Sequence, residues 1–188
     1  MSSRAAGVKA AVERYARGDK SALQALKELG LLSDREPQGR GYVLYKALKH
    51  GLDVTALVRY LGWEEFEELI RYVLDELGFN TAFHLRLDCN GGAEFDVVAW
   101  SKRLALVVEA KRWRSGRGMW ARIACDHLEK VRKCLSRLIA FAPAVVPIVV
   151  CATDVSSAPC GVPVVPVWKI GSLLSSFDHL KNHIVVLG

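Results

Sequence analysis

The chain has 188 residues, of which 51% are hydrophobic and 24% charged, and its formal net charge is +6. This length suits one well-buried domain with a smaller appendage rather than two full domains, and the composition excludes a disordered or fibrous protein. The longest uncharged run, residues 138–153, is shorter than the ~18 to 20 residues that span a bilayer, and two prolines interrupt it. Because no signal-peptide pattern opens the chain, we expect a cytoplasmic protein without a membrane span.

Residues 1–62 are predicted to form a helical N-terminal region. Glycines and a polar loop at 33–41 separate four predicted helices, at about 5–17, 20–29, 42–50 and 54–61. A tight turn at Gly51 joins the last two helices. It could form a helix-turn-helix, although an ordinary helical hairpin is favoured.

Residues 63–188 show the pattern of an α/β domain. Apolar residues from Phe66 to Leu77 recur at helical spacing, which predicts a helix that ends at Gly78. Three strands (79–88, 94–100, 104–111), a long helix (119–141), two strands (146–152, 164–168), a helix (171–181) and a last strand (184–187) are predicted next. This order predicts a mixed central β-sheet flanked by helices.

Two of the predicted strands carry acids where a core strand is normally apolar. Alternation places Glu94 and Asp96 on one face of their strand, and Glu109 and Lys111 on one face of the next. If the turn at 101–103 closes a hairpin, Asp96 lies opposite Val107 or Glu109. We therefore expect the carboxylates and the lysine to be neighbours.

Neighbouring carboxylates in a mostly buried sheet repel each other unless a cation compensates. Mg²⁺, for which Mn²⁺ can substitute, binds carboxylate and carbonyl oxygens, which Asp96, Glu109 and the carbonyl of Ala110 could supply. Lys111 would position the attacking water or stabilise the developing charge. The alternative is a structural ion-pair cluster of acids with a lysine.

A basic segment follows this candidate site. Residues 111–137 contain nine Lys and Arg side chains against two acids, which indicates a phosphate-binding surface or, alternatively, a solvated helix face. The residues predicted to bind nucleic acid are Arg112, Arg114, Arg117 and Lys130. His127, one helical turn from Lys130, could also touch substrate, although such lone residues are more often surface groups. For Trp113 and Trp120, packing is favoured over base stacking.

The five cysteines predict neither a disulfide framework nor a zinc site. They are odd in number and contain no CxxC pair. Cys125 and Cys134 lie nine positions apart in a predicted helix and so should point to opposite faces. We expect buried free thiols. Two Gln and three Asn in the whole chain favour a thermophilic source, although the cysteines argue against it.

The ordered set of Glu67 on a helix, Asp96 on a strand and Glu109-Ala110-Lys111 on the next strand resembles the PD-(D/E)XK nuclease signature. Within that superfamily it most resembles archaeal Holliday-junction resolvases and Mrr-type nucleases, over about residues 63–152. On a helical wheel, Glu67 lies at the edge of the apolar stripe and could reach inward, the alternative being an exposed acid. One departure is that Glu94-Phe95-Asp96 replaces the usual Pro-Asp, which leaves Glu94 as an extra metal ligand or an orienting acid.

The resemblance implies a restriction-endonuclease-like fold and a Mg²⁺-dependent endonuclease that hydrolyses duplex or branched DNA. The implied catalytic residues are Asp96, Glu109, Lys111 and Glu67. A homodimer is compatible with it. The alternatives are an exonuclease of a defence or mobile-element system and a DNA-binding module that keeps the fold without turnover.

Overall fold

The computed structural model of the chain describes residues 3–89, 91–112 and 117–188, with the side chains of all of these except residues 3, 117 and 118. The chain divides into two compact units, Met1–Tyr72 and Val73–Gly188. The division falls ten residues after the predicted boundary at residue 62, inside the helix that begins at Trp63.

The N-terminal unit is helical. Its helices are α1 (Ser3–Ala16), α2 (Ala22–Glu28), α3 (Arg40–Lys49) and the first ten residues of α4 (Trp63–Glu76). The predicted helix over 54–61 is reduced to a 3-10 turn, Val58–Tyr60. Val54, Thr55 and Val58 are β-branched and disfavour a helix. The turn at Gly51 is therefore not followed by the second helix that a helix-turn-helix or a hairpin needs.

The C-terminal unit contains a five-stranded mixed sheet, which confirms the predicted α/β fold class. Its strands are β1 (Asn80–Leu87), β2 (Ala93–Trp100), β3 (Leu104–Lys111), β4 (Ala144–Cys151) and β5 (Val164–Pro166), in the spatial order β1-β2-β3-β4-β5. β1, β2 and β3 form an antiparallel meander, and β4 and β5 run parallel to β3. A parallel pair needs a long connection, and between β3 and β4 it contains α5 (Arg117–Lys133).

Three predicted elements of this unit are different in the structure. The long helix predicted over 119–141 breaks at Cys134, so that α5 is followed by a separate α6 (Leu135–Leu138). The strand predicted over 184–187 was wrong: only Leu187 forms a bridge, to Val145 of β4. Val185 and Leu187 pack against the core, so their apolar character reflects burial rather than strand pairing. The helix predicted over 171–181 is divided at Ser176 into α7 (Ile170–Ser175) and α8 (Phe177–Leu180).

The cysteines form two disulfides, which corrects the prediction of buried free thiols. Cys89 after β1 is joined to Cys134 at the end of α5, and Cys125 of α5 is joined to Cys160. The Cα–Cα distances are 5.1 and 5.6 Å, within the usual range for a disulfide. Cys151 remains a buried free thiol. Because cysteines far apart in sequence are paired by the tertiary fold, spacing alone did not indicate these bonds.

Within the described residues, the helices are too short or too polar to cross a bilayer.

Candidate active site

Asp96 and Glu109 become neighbours through the register of β2 and β3. Val97 pairs with Val108, and the same register extended by one residue places Asp96 opposite Glu109. Asp96 Oδ2 accepts a hydrogen bond from the backbone N–H of Ala110 at 2.7 Å. The carboxylate of Asp96 is therefore held against β3, one residue beyond the last pair of the two strands. This register agrees with the predicted position of Asp96 opposite Glu109.

Two lysines neutralise Glu109. Lys111 Nζ donates to its Oε1 at 2.6 Å, and Lys130 Nζ on α5 donates to its Oε2 at 2.8 Å. The side chain of Glu109 is only 15% exposed. Lys130 also donates to the backbone carbonyl of Glu94 at 3.1 Å. In the structure, Lys130 thus lies at the acid cluster instead of forming part of an outer basic surface.

The two carboxyl groups have pKa values displaced in opposite directions. Burial, followed by the nearby charge of Glu109, raises the pKa of Asp96. Burial would also raise the pKa of Glu109, but hydrogen bonds from Lys111 and Lys130 outweigh it and lower that pKa to about 2. The cluster therefore contains one firmly ionised acid beside one whose charge is disfavoured, an arrangement that an added cation would relieve.

His127 of α5 is buried beside Glu109, with 2% of its surface exposed. Its Nε2 lies 2.8 Å from the carbonyl oxygen of Val107, and its Nδ1 lies 3.6 Å from Glu109 Oε2. Burial lowers the pKa of His127 to about 4, so the ring is neutral at pH 7. The sequence did not predict this inward position of His127, which was expected on the surface or in contact with substrate. The position depends on the rotation of α5 about its axis, which is set by packing against the sheet.

The carboxylate of Glu94 is directed toward β1. Its carboxylate pairs with Arg86 Nε at 2.6 Å and lies 3.5 Å from His84 Nδ1, both on β1. His84 has φ 44°, a left-handed conformation that is uncommon outside glycine and occurs opposite Asp96 in the β1–β2 register. The role of Glu94 as a metal ligand stays a prediction.

A cleft of about 190 Å³ opens onto the acid cluster. It is lined by Glu109, Lys111, Ile123, Asp126, His127 and Lys130. Asp126 and Lys130 also line an adjoining cleft of about 360 Å³ that extends past Lys133 to Cys89 and Cys134. The smaller cleft is below the size of typical pockets for drug-sized ligands but has room for a hydrated ion or a phosphate group.

The remaining predicted site residues are placed as follows. Glu67 belongs to the N-terminal unit and is 2% exposed, which confirms its inward orientation. Arg112 is half-buried at the end of β3. Arg114, the side chain of Arg117 and Trp113 lie outside the described residues. Trp120 is buried in the core, as the packing interpretation expected.

Comparisons with known proteins leave the family open. No family model and no curated protein matches the chain. A solved structure titled as a protein of unknown function, AF1548, is similar at 22% identity, with a TM-score of 0.43. The similarity covers 60% of this chain and 64% of that one. Among the residues described, no group of three or more His, Cys, Asp or Glu side chains is arranged to hold a metal ion.

Proposed function

We propose that the chain is a Mg²⁺-dependent DNA endonuclease of the PD-(D/E)XK type, acting on duplex or branched DNA as a resolvase-like or Mrr-like enzyme. The observation that carries this proposal is the meeting of Asp96, Glu109 and Lys111 at the end of β3, beside a cleft of ion-and-phosphate size.

The donor set fits a hard divalent cation. Asp96 and Glu109 supply two adjacent carboxylates, and a Mg²⁺ ion typically takes one or two of these and completes its shell with water and substrate oxygens. A bound Mg²⁺ would polarise the scissile phosphate and make a bound water more acidic. Mn²⁺ should substitute, since it accepts the same oxygen ligands.

Within this proposal the residues have distinct roles. Asp96 and Glu109 hold the cation, with Ala110 and Glu94 as further candidate ligands. Lys111, at 2.6 Å from Glu109, is placed to orient the attacking water or to stabilise charge on the phosphate. Glu67 is assigned a catalytic role only through the family resemblance. The residues assigned to contact the DNA backbone are Arg112, Arg114, Arg117 and Lys130. The protein would act as a monomer or as a homodimer.

A second candidate is a DNA-binding module without turnover. Both oxygens of Glu109 accept hydrogen bonds from lysines, which is also what a purely structural ion-pair cluster would show. An exonuclease of a defence or mobile-element system would use the same site. These alternatives differ from the proposed endonuclease in metal dependence and in the position of cuts.

The deciding experiment incubates the full chain with labelled junction, flap, nicked and linear DNA, with Mg²⁺ or Mn²⁺. We expect metal-dependent internal cuts that Asp96→Ala, Glu109→Ala and Lys111→Ala each abolish while the fold is retained. Asp178→Asn, at an exposed ion pair on α8, is the matched control and should cleave as wild type. Wild-type rates in the active-site variants would contradict the assignment. Cleavage only from DNA ends would favour the exonuclease. Metal-independent DNA binding without cleavage would favour the binding module.

The cytoplasmic location is part of the same proposal, because that is where chromosomal or invading DNA is met. Structural disulfides are rare in the cytosol of most organisms but common in intracellular proteins of hyperthermophilic archaea. The two disulfides and the low content of Asn and Gln both agree with such a source.

A further inference from the structure

The hydrogen bond of His127 determines which of its ring nitrogens carries the proton. A carbonyl oxygen can only accept, so Nε2, at 2.8 Å from the oxygen of Val107, must be the protonated nitrogen. In the neutral ring, Nδ1 therefore carries a lone pair. That lone pair is presented on the side of the ring that faces Glu109.

Nδ1 lacks a hydrogen-bond partner among the residues that the structure describes, and it is fully buried. Glu109 Oε2, at 3.6 Å, is too distant for a hydrogen bond, and a carboxylate oxygen is an acceptor like the nitrogen itself. A buried acceptor without a partner destabilises the fold. Glu109 Oε2 already accepts a hydrogen bond from Lys130, so His127 Nδ1 is the acceptor of the two that lacks a donor in the described part of the chain. A divalent cation between the two atoms would serve both of them.

We propose that His127 Nδ1 and Glu109 Oε2 bind one ion, and that a first-row transition metal, which accepts an imidazole nitrogen, binds there more tightly than Mg²⁺. The inference rests on the proposed function and adds a nitrogen ligand to the cation of that site. Metal–nitrogen and metal–oxygen bonds of about 2.0–2.2 Å place two ligands roughly 3.0–3.5 Å apart, close to the observed separation. Mg²⁺ strongly prefers oxygen ligands, whereas the transition ions also accept imidazole, Co²⁺ more readily than Mn²⁺.

The bond from Nε2 to Val107 is an independent mark of a ligating histidine. Metal-binding imidazoles usually donate their other N–H to a carboxylate or a backbone carbonyl, which fixes the tautomer and the ring orientation. Val107 is a buried residue of β3, two positions before Glu109, so one strand positions both ligands. Water and substrate oxygens would complete the shell.

Lys130 lies against the same oxygen of Glu109. Its ammonium is 2.8 Å from Glu109 Oε2, the oxygen that faces His127. A divalent ion held at this oxygen would compete with Lys130 for it, which would leave the charge of Lys130 for a DNA phosphate.

The test titrates the metal-free full chain with Mn²⁺, Co²⁺ and Mg²⁺ by calorimetry, and compares wild type with His127→Gln. The glutamine amide can still donate to Val107 but offers no ring nitrogen. We expect His127→Gln to weaken Mn²⁺ and Co²⁺ binding by about tenfold or more and to leave Mg²⁺ binding unchanged. His179→Gln, on the exposed surface of α8, is the matched control and should bind all three ions as wild type.

Pulsed electron paramagnetic resonance on the Mn²⁺-loaded wild type gives a second measurement that needs no variant. Coupling to a histidine nitrogen, shifted by ¹⁵N-histidine labelling, is the expected result. Mn²⁺ binding that depends on Asp96 and Glu109 but shows no nitrogen coupling would overturn the inference and leave the proposed nuclease site standing. Failure of every ion to bind would overturn both.

Discussion

The disulfide between Cys89 and Cys134 should contribute a large part of the stability of the C-terminal unit. It closes a segment with a sequence separation of 45 residues, for which the chain-entropy relation gives about 4 kcal/mol at 25 °C. Both cysteines lie in the apolar cluster with Phe95, Val107 and Val131. We expect Cys89→Ala/Cys134→Ala to lower the free energy of unfolding by about this amount, out of a typical total of about 5–15 kcal/mol.

Cys151→Ala is the matched control, because Cys151 is a buried thiol without a cross-link. It should cost no more than about 1–2 kcal/mol, the usual effect of removing a small buried group. Urea unfolding followed by circular dichroism, with oxidised wild type as reference, measures all three proteins. The reasoning is refuted if the double variant loses no more stability than Cys151→Ala, or if thiol titration of the oxidised protein finds five free cysteines.

Three further predictions concern binding, pH and the N-terminal region. The logarithm of the DNA affinity should fall with the logarithm of the salt concentration, at a slope of about −0.9 per phosphate contact. Reversing the charges of the predicted contacts (Arg112, Arg114, Arg117 and Lys130) should make this slope shallower. A slope near zero in the wild type would favour the interpretation of the basic segment as a solvated helix face. Burial holds the pKa of His127 at about 4 against 6.5 in the unfolded chain, so the unfolded state binds the extra proton. As pH falls from 6.5 to 4, the free energy of unfolding of the metal-free wild type should therefore decrease by about 3 kcal/mol relative to that of His127→Gln. Curves of unfolding free energy against pH that run parallel for the two proteins would contradict this. Deleting residues 1–62 should change which DNA is bound, or the assembly of the dimer, but should leave metal binding intact. The reason is that the first fifty residues contain ten basic side chains against five acidic ones, which can add phosphate contacts or a partner surface but not a metal site. A folded core that binds metal yet cuts no substrate at saturating DNA would show that the region takes part in the active site.

Local elements were predictable where the periodicity of the sequence is strong. The apolar stripe of α4 and the alternation in β2 and β3 each follow the repeat of one backbone conformation. The same alternation put Asp96 and Glu109 within reach of each other. Only pairing in the sheet selected Glu109 over Val107 as the residue opposite Asp96.

Other features depended on contacts between segments far apart in the chain. The apolar run at 184–187 packs against the core and forms one bridge. It was predicted as a strand because periodicity alone cannot distinguish a strand from buried irregular backbone. The partners of Cys89 and Cys125 are 45 and 35 residues away, and no sequence rule pairs them.

The candidate site shows the same division. The residue types and spacing of Asp96, Glu109 and Lys111 were sufficient to predict an acid cluster with a lysine. The positions of His127 and Lys130 were decided by how α5 packs on the sheet, which turned a predicted surface histidine and a predicted DNA contact inward to Glu109. A helix has one sequence but many rotations about its axis, and only burial of its apolar side against β3 and β4 selects one of them.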